Sequence, residues 1–187
     1  MNTPSFVFFG TPDVARDTLE QLAQRGHLPT LIVTSPDRPV GRKLVMTPTP
    51  VKIWADEHTI PVLQPEKIDD AFIASLPVTN LFIVVAYGKI LPQRLIDVPR
   101  VATLNIHYSL LPRWRGATPV EAAILHGDTE TGVAIQRMVF KLDAGPVVAE
   151  ERIPLTDQAT TSSVRAELIP LGAQLLASLM DDMKQGT

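Results

Sequence analysis

Residues 105–145 read NIHYSLLPRWRGATPVEAAILHGDTETGVAIQRMVFKLDAG, and they hold the polar residues around which the rest of the chain is arranged. The stretch begins with Asn105 and His107, directly after an apolar run, and closes with Asp143 and Gly145. An amide donor, an imidazole and a carboxylate can together stabilise a developing oxyanion and move protons in an acyl-type transfer. The same residue types are also common at strand ends and turns, so taken singly they leave both interpretations open.

Short apolar runs in the rest of the chain predict an α/β fold with a mostly parallel central sheet. Residues 5–9 and 31–34 have the pattern of buried strands, and the helical signals between them predict a right-handed parallel unit. The continuous apolar run 81–86 is typical of the centre of a parallel sheet. Further strands are expected at 60–62, 101–106, 131–138 and 146–153. The last two are expected to pair as an antiparallel hairpin.

The strand predicted at 101–106 places two of the polar residues together. Successive side chains of a strand point to opposite faces, so Asn105 and His107 share a face if the strand persists to residue 107. In open α/β sheets, ligands bind beyond the carboxyl ends of the strands. This strand is therefore expected to deliver both residues to a ligand-binding edge.

Helix signals flank these strands. Thr11 and Thr118 are each followed by proline, which predicts helices capped by these two residues. Glu121 stands three residues after Thr118, as in a capping box. Further helices are expected at 51–58, 69–76, 93–96 and 161–183, with Pro170 able to kink or split the last one.

Residues 35–50 are predicted to form a long irregular loop. The segment contains four prolines and carries Arg38, Arg42 and Lys43. Structureless loops of more than about 12 residues are usually functional or disordered. The two interpretations are a solvated loop and a basic loop that meets phosphates and bases.

Composition restricts the classes of function. The chain of 187 residues has a net charge of −3, which argues against a general nucleic-acid coat protein but permits a local basic patch. It contains no cysteine, so disulfides and thiolate metal sites are excluded. No GxGxxG follows the first strand, so a dinucleotide site is not supported. His27, His58 and His126 are interpreted as surface residues with no metal. We expect a cytoplasmic protein with no membrane partner.

The whole stretch 105–145 is far more specific than its single residues. It contains Asn-x-His, SLLP at 109–112, RWRG at 113–116, Gly-Asp, Thr-Gly and LDAG at 142–145, and FFGTPD, SPDRPVGRKL, TPVK and VVAYGKILP precede it. In this order and spacing, nearly the whole chain resembles the folate-dependent formyltransferases. The resemblance implies a Rossmann-like three-layer fold of the formyltransferase type.

The resemblance also implies a reaction and its residues. A formyl group would pass from 10-formyltetrahydrofolate, a substrate, to the α-amine of initiator methionyl-tRNA, without a metal. Asn105, His107 and Asp143 would be catalytic, with Asp143 orienting His107. The implied folate-binding residues are Tyr87, Gly88, Lys89, Ile90, Leu91, Ser109, Leu110, Leu111 and Pro112, on one edge of the sheet. The implied tRNA-binding residues are Arg38, Arg42 and Lys43, in a loop shorter than the common family form.

Two alternatives remain at this point. One is a sugar N-formyltransferase acting on a nucleotide-linked amino sugar, and the other is a folate-binding or RNA-binding module without catalysis. A glycine-rich GxGSN-type turn is absent after the first strand, which counts against the glycinamide ribonucleotide branch of the family. We expect one catalytic domain over residues 1–187, acting as a monomer. The C-terminal barrel domain of longer relatives is expected to be absent, with Gly186 resembling the start of a linker.

Overall fold

The computed structural model describes residues 4–185, which form a central sheet with helices on both faces. In chain order the elements are β1 (Phe6–Gly10), α1 (Asp13–Gln24), β2 (Leu31–Val33), β3 (Arg38–Val40), β4 (Val45–Thr47), α2 (Pro50–Glu57), β5 (Val62–Leu63), α3 (Asp70–Ser75), β6 (Leu81–Val85), α4 (Gln93–Ile96), β7 (Ala102–His107), α5 (Pro119–Leu125), β8 (Glu130–Arg137), β9 (Val147–Pro154) and α6 (Thr161–Gln185).

The large sheet has seven strands in the order β5-β2-β1-β6-β7-β8-β9. Neighbours from β5 to β7 pair in parallel, whereas β7–β8 and β8–β9 pair antiparallel. The predicted mostly parallel α/β fold and its antiparallel hairpin are therefore confirmed. The parallel strands bring their carboxyl ends to one edge, where functional loops are expected.

Alternation along the central strands divides the core into two layers. On β1, Phe6 and Phe8 pack with residues of α1, α2 and α6, whereas Val7 and Phe9 pack with residues of α4 on the opposite face. Strands that are buried on both faces read as continuous apolar runs, which explains the sequences FVFFG and LFIVV of β1 and β6.

The irregular loop predicted for residues 35–50 is wrong. Strands β3 and β4 form a two-stranded antiparallel hairpin in which Val40 lies opposite Val45. The turn between them contains Gly41, with a positive φ of +73°, a conformation that glycine adopts at little cost. The hairpin contains only two apolar cross-strand pairs, Pro39 with Met46 and Val40 with Val45. The prolines and basic residues around them made the strands difficult to recognise in the sequence.

The capping roles predicted for two threonines are also wrong. Pro12 occupies the N-cap position of α1, and the Thr11 hydroxyl instead contacts the Ser35 hydroxyl and donates to the Tyr87 carbonyl oxygen at 3.0 Å. Thr118 occupies the N-cap position of α5, but its side chain makes no capping hydrogen bond. Thr11 thus ties together the loops that follow β1, β2 and β6.

Helix α6 runs through Pro170 as one element, so the alternative in which Pro170 splits it is wrong. The proposed linker residue Gly186 lies outside the described residues. Across residues 4–185, no helix has both the length and the apolar character needed to cross a membrane.

Candidate active site

Asn105 and His107 lie at the carboxyl end of β7, between a parallel and an antiparallel neighbour. Asn105 is level with Val84 of β6 on one side and with Gln136 of β8 on the other. Only 9% of Asn105 and 6% of His107 is exposed, and both line one cleft of about 790 Å³. The predicted common face of these two residues is confirmed.

The same cleft receives Asp143 and the loop after β6. Tyr87, Gly88, Lys89, Ile90 and Leu91 all line it. The apolar segment before Asp143 lines it as well, with Val139, Phe140 and Leu142. A volume in the range of about 300–1,000 Å³ with mainly apolar walls and a few convergent polar groups is typical of a small-molecule site.

The second implied folate segment lies elsewhere. Leu110, Leu111 and Pro112 line a separate cavity of about 220 Å³, and Ser109 is fully buried. The Ser109 hydroxyl donates to the Arg113 carbonyl oxygen at 2.7 Å. The structure thus places residues 87–91 in the same cleft as Asn105, His107 and Asp143, whereas the side chains of residues 110–112 lie in the smaller cavity. Folate binding by residues 109–112 stays a prediction.

Asp143 is held in a backbone conformation that a non-glycine residue rarely adopts. Its φ is +44°, and such a residue persists at a cost of about 1–3 kcal/mol only where its surroundings over-determine it. The Gly116 N–H donates to Asp143 Oδ2 at 2.8 Å, and the Gln136 side-chain amide donates to Oδ1 at 2.8 Å. Both carboxylate oxygens therefore have a donor.

Gly145 is required by the close return of this loop to β8. A Cβ at position 145 would collide with the backbone carbonyl oxygen of Arg137. The Arg137 N–H also donates to the Pro146 carbonyl oxygen at 2.9 Å, which holds the two segments together. The glycine of LDAG therefore allows the approach that places Asp143.

The His107 ring has distinct partners at its two nitrogens. Nε2 lies 2.9 Å from the Trp114 carbonyl oxygen, and Nδ1 lies 3.8 Å from Asp143 Oδ1. Because a carbonyl oxygen only accepts, Nε2 carries a proton in this hydrogen bond. A separation of 3.8 Å is too long for a direct hydrogen bond, so Nδ1 is left for a bound molecule or a bridging water.

The RWRG segment holds that carbonyl in place. Trp114 has a φ of +56°, its indole N–H donates to Asp128 Oδ2 at 2.6 Å, and the Arg113 guanidinium donates to Asp128 Oδ1 at 2.7 Å. Asp128 thus anchors two consecutive side chains of the loop. The conspicuous RWRG and Gly-Asp elements act together as a support for His107.

Asn105 differs from its two neighbours in the site. Its side-chain amide has no hydrogen-bond partner within residues 4–185. Its N–H groups are therefore available to an oxygen atom of a bound molecule. An unpaired donor at the wall of a cleft is the arrangement that can stabilise a developing oxyanion.

The loop after β6 is fixed by contacts outside the cleft. Lys89 Nζ donates to the backbone carbonyl oxygens of Pro65 and Glu66, so its ammonium group is anchored to that neighbouring loop. Tyr87 packs edge-on against Phe9, with ring centroids 5.5 Å apart, and burial raises its pKa to about 12. Gly88 has a φ of +83°, which favours glycine and allows the sharp turn at the cleft wall.

Gln136, Glu121 and Arg165 also line the cleft, but the sequence did not indicate them as site residues. Gln136 was counted only as part of an alternating strand, and its place beside Asn105 depends on the register of β7 and β8. Glu121 was assigned to a capping box, but it accepts a hydrogen bond from Arg165 at 2.7 Å instead. The signal available for Gln136 was a single amide directly after the apolar residues 133–135 of this strand.

The hairpin β3–β4 carries the implied tRNA-binding residues away from the cleft. Arg38 lies 3.5 Å from Glu66, and no ion pair of Arg42 or Lys43 is present within residues 4–185. Val40, Leu44, Val45 and Met46 of the hairpin are exposed. At its base, Asp37 accepts hydrogen bonds from Lys52 and Gln64.

Among residues 4–185, no group of three or more His, Asp or Glu side chains is arranged to hold a metal ion. The prediction that His27 lies at the surface is wrong, because only 3% of it is exposed. Burial lowers the pKa of His27, against an opposing contribution from Asp181. His58 and His126 lie at the surface as predicted.

Two sequence relatives of the chain are both methionyl-tRNA formyltransferases. The methionyl-tRNA formyltransferase of Halalkalibacterium halodurans is 43% identical over 185 residues, which cover 96% of this chain and 58% of the relative. The methionyl-tRNA formyltransferase of Methylococcus capsulatus is 46% identical over 179 residues, which cover 93% of this chain and 58% of the relative. The chain therefore spans somewhat more than half of the length of these relatives.

Solved structures of low sequence identity share the fold. A phosphoribosylglycinamide formyltransferase from Bacillus halodurans matches with a TM-score of 0.73 and 18% identity, over 96% of this chain and 94% of that one. An N-formyltransferase from Helicobacter canadensis, solved with folinic acid and dTDP-3-aminofucose, matches with a TM-score of 0.71 and 17% identity, over 98% of this chain and 65% of that one.

A family described as formyl transferase matches residues 5–179. The matched region includes β6, β7 and β8, whose residues line the cleft, and also Asn105, His107 and Asp143. With a match over nearly the whole length and relatives more than 40% identical, this chain belongs to the formyl transferase family.

Proposed function

We propose that this chain transfers the formyl group of 10-formyltetrahydrofolate to the α-amine of initiator methionyl-tRNA. The observation that carries the proposal is the convergence of Asn105, His107 and Asp143 on one cleft of about 790 Å³. The two methionyl-tRNA formyltransferases that are similar to this chain and the match to the family support it. We also propose that residues 1–187 act as one catalytic domain.

The formyl donor binds in the cleft beside the loop after β6. Backbone groups of residues 88–91 bind the polar edge of the pterin, and Ile90 and Phe140 cover its faces. Ile90 is 78% exposed and Phe140 62% exposed, so much of this apolar wall faces solvent. The wall becomes buried when the donor binds. Burial of the wall supplies the driving force for donor binding.

The reaction forms one C–N bond and breaks another. The neutral α-amine attacks the formyl carbon, which gives a tetrahedral species with a negative oxygen. The Asn105 amide donates to that oxygen, and protonated His107 donates from Nδ1, since Nε2 is occupied by the Trp114 carbonyl oxygen. The proton lost by the attacking nitrogen passes through Asp143 or a water and reaches N10 as the C–N10 bond breaks. Tetrahydrofolate and the formylated amine are the products.

Acceptor binding involves the hairpin β3–β4. Arg42 and Lys43 are exposed near the hairpin turn and have no ion pair within the described residues, so their charges are available to phosphates. Phosphate contacts of this kind supply most of the sequence-independent affinity for nucleic acid. The hairpin therefore provides tRNA affinity, and the cleft provides the chemistry.

A radiolabelled formyl-transfer assay tests the proposal. The donor is 10-formyltetrahydrofolate, and initiator methionyl-tRNA is compared with a nucleotide-linked amino sugar. We expect the wild type to transfer the formyl group to the tRNA. We expect this transfer to be lost in Asp143→Asn, a variant of the same shape. Transfer to the amino sugar alone would replace the proposal with the sugar N-formyltransferase, and transfer to neither would refute it.

Donor binding is tested separately by thermal unfolding. A non-reactive reduced folate should raise the melting temperature with concentration, since a ligand that binds only the native state stabilises it by about 2.7 kcal/mol at 100 times its dissociation constant. The variant Ile90→Asp, which places a charge on the apolar wall, should reduce the shift. An unchanged melting temperature at saturating folate would exclude the cleft as the donor site.

A further inference from the structure

We infer that Gln136 is a positioning residue that sets the orientation of the Asp143 carboxylate for formyl transfer. The inference rests on the proposed function, because it assigns Gln136 a role in that same site. Gln136 acts through Asp143 and is not itself required to touch the substrate.

The contact joins a rigid strand to a strained loop. Gln136 belongs to β8, lies opposite Asn105 and is only 2% exposed. Its Nε2 donates to Asp143 Oδ1 at 2.8 Å, and Asp143 lies seven positions further along the chain, in the loop that joins β8 to β9. The donor on the other carboxylate oxygen is the N–H of Gly116, which comes from a loop. Gln136 is therefore the attachment of Asp143 to the sheet.

The charge of Asp143 decides which way the Gln136 amide faces. An ionised carboxylate only accepts hydrogen bonds, so the amide must present its nitrogen to Oδ1. This leaves Gln136 Oε1 buried with no hydrogen-bond partner within residues 4–185. A buried oxygen without a donor is unfavourable, and an apolar side chain of the same length would avoid this cost. The stability of the strand therefore does not account for the amide, whereas its bond to Asp143 does.

The atom that Gln136 holds is also the one nearest to His107. Asp143 Oδ1 lies 3.8 Å from His107 Nδ1, the nitrogen that is free to act on a bound substrate. If the amide is removed, Oδ1 loses its donor, and the carboxylate can rotate about its remaining bond to Gly116. The separation between the carboxylate and the imidazole then varies, and misplacement of a catalytic group by about 1 Å can lower a rate by about 100-fold.

The first test replaces Gln136 with methionine, which is similar in length and has no amide. Gln136→Met is expected to lower kcat by about tenfold or more while both Michaelis constants stay within about twofold, since only the geometry at Asp143 changes. The melting temperature should be unchanged or higher, because the unpartnered oxygen is removed. Thr131→Val is the matched control, since Thr131 is a buried residue of β8 whose hydroxyl also has no partner within residues 4–185 but lines the smaller cavity.

The second test replaces Gln136 with glutamate and compares rates across pH. A protonated carboxyl group can donate to Asp143 as the amide does, whereas an ionised one repels it. The ratio of the Gln136→Glu rate to the wild-type rate should therefore rise as pH falls, and the corresponding ratio for Gln136→Met should stay flat. Division by the wild-type rate removes the pH dependence that the proteins share.

The outcomes separate this inference from the proposed function. A kcat of Gln136→Met within twofold of the wild type, or a loss matched by Thr131→Val, would overturn the role of Gln136 while formyl transfer stands. Wild-type protein that transfers no formyl group would refute the proposed function. In that case, a crystal structure of Gln136→Met still decides: a rotated Asp143 carboxylate supports the positioning role, and an unmoved one overturns it.

Discussion

The cleft that holds Asn105, His107 and Asp143 and the hairpin β3–β4 are built in opposite ways. Asn105, His107 and Asp143 lie on or beside the sheet and are mostly buried, and His107 and Asp143 are held by hydrogen bonds from residues 114–116 and from β8. The hairpin presents exposed basic and apolar side chains on a two-stranded ribbon outside the large sheet. A reaction at one carbon atom requires side chains in fixed positions. Binding of a large, charged partner requires an extended surface of complementary charge. Substitutions in the two regions should therefore affect different kinetic constants.

The largest expected effect is the removal of a catalytic side chain. Asn105→Ala, His107→Ala and Asp143→Ala should each lower kcat by at least about 100-fold, because each removes an interaction formed in the transition state. The measurement is single-turnover formyl transfer, with circular dichroism to show that the fold survives. His58→Ala is the control, because this histidine is exposed and outside the cleft. Wild-type turnover by Asp143→Ala would contradict the assignment of the site.

The next effect comes from the glycine that lets the Asp143 loop approach β8. In Gly145→Ala the new Cβ meets the Arg137 carbonyl oxygen, and a backbone atom of β8, a strand paired on both sides, cannot move aside at low cost. We expect kcat to fall by about tenfold or more, since the loop and Asp143 are displaced. Gly41→Ala, at the positive φ of the hairpin turn, should instead change the Michaelis constant for tRNA. Equal kcat losses in both variants would remove the distinction between the two regions.

A smaller effect is expected from the charge of the hairpin. Arg42→Ala should raise the Michaelis constant for tRNA several-fold at low salt and leave folate binding unchanged, and the difference should shrink at high salt, where phosphate contacts are screened. Arg25→Ala is the control, because Arg25 is exposed and follows the last residue of α1. The first residues of α1 lie beside the cleft, and the helix is about 18 Å long, so Arg25 is far from the cleft. A loss in Arg25→Ala as large as that in Arg42→Ala would show a general charge effect.

The smallest effect concerns stability outside both regions. Burial lowers the pKa of His27 in the folded protein below its value in the unfolded chain. The unfolded state therefore binds the proton more readily, so the contribution of His27 to stability is present above about pH 6.5 and is lost as pH falls. Urea unfolding should show a larger drop from pH 7 to pH 5 in the wild type than in His27→Leu. Equal drops in the two proteins would contradict this role of His27.

The sequence by itself determined the class of fold and the common face on which Asn105 and His107 lie. Apolar runs such as those of β1 and β6 identify strands buried on both faces, because only such strands need no polar side. The two-residue repeat of a strand places Asn105 and His107 together without knowledge of any partner. The order and spacing of the motifs, which extend through LDAG, indicated the family.

Only the tertiary structure decided what holds these residues in place. The donors to Asp143 come from Gly116 and Gln136, which lie 27 and 7 residues away in the chain. The carbonyl oxygen bound to His107 belongs to Trp114, whose position depends on Asp128. The separation of residues 110–112 from the cleft and the burial of His27 likewise depend on packing. Local patterns determine the face on which a side chain lies, but the atoms that meet it there are set by long-range register and loop closure, which no local repeat encodes.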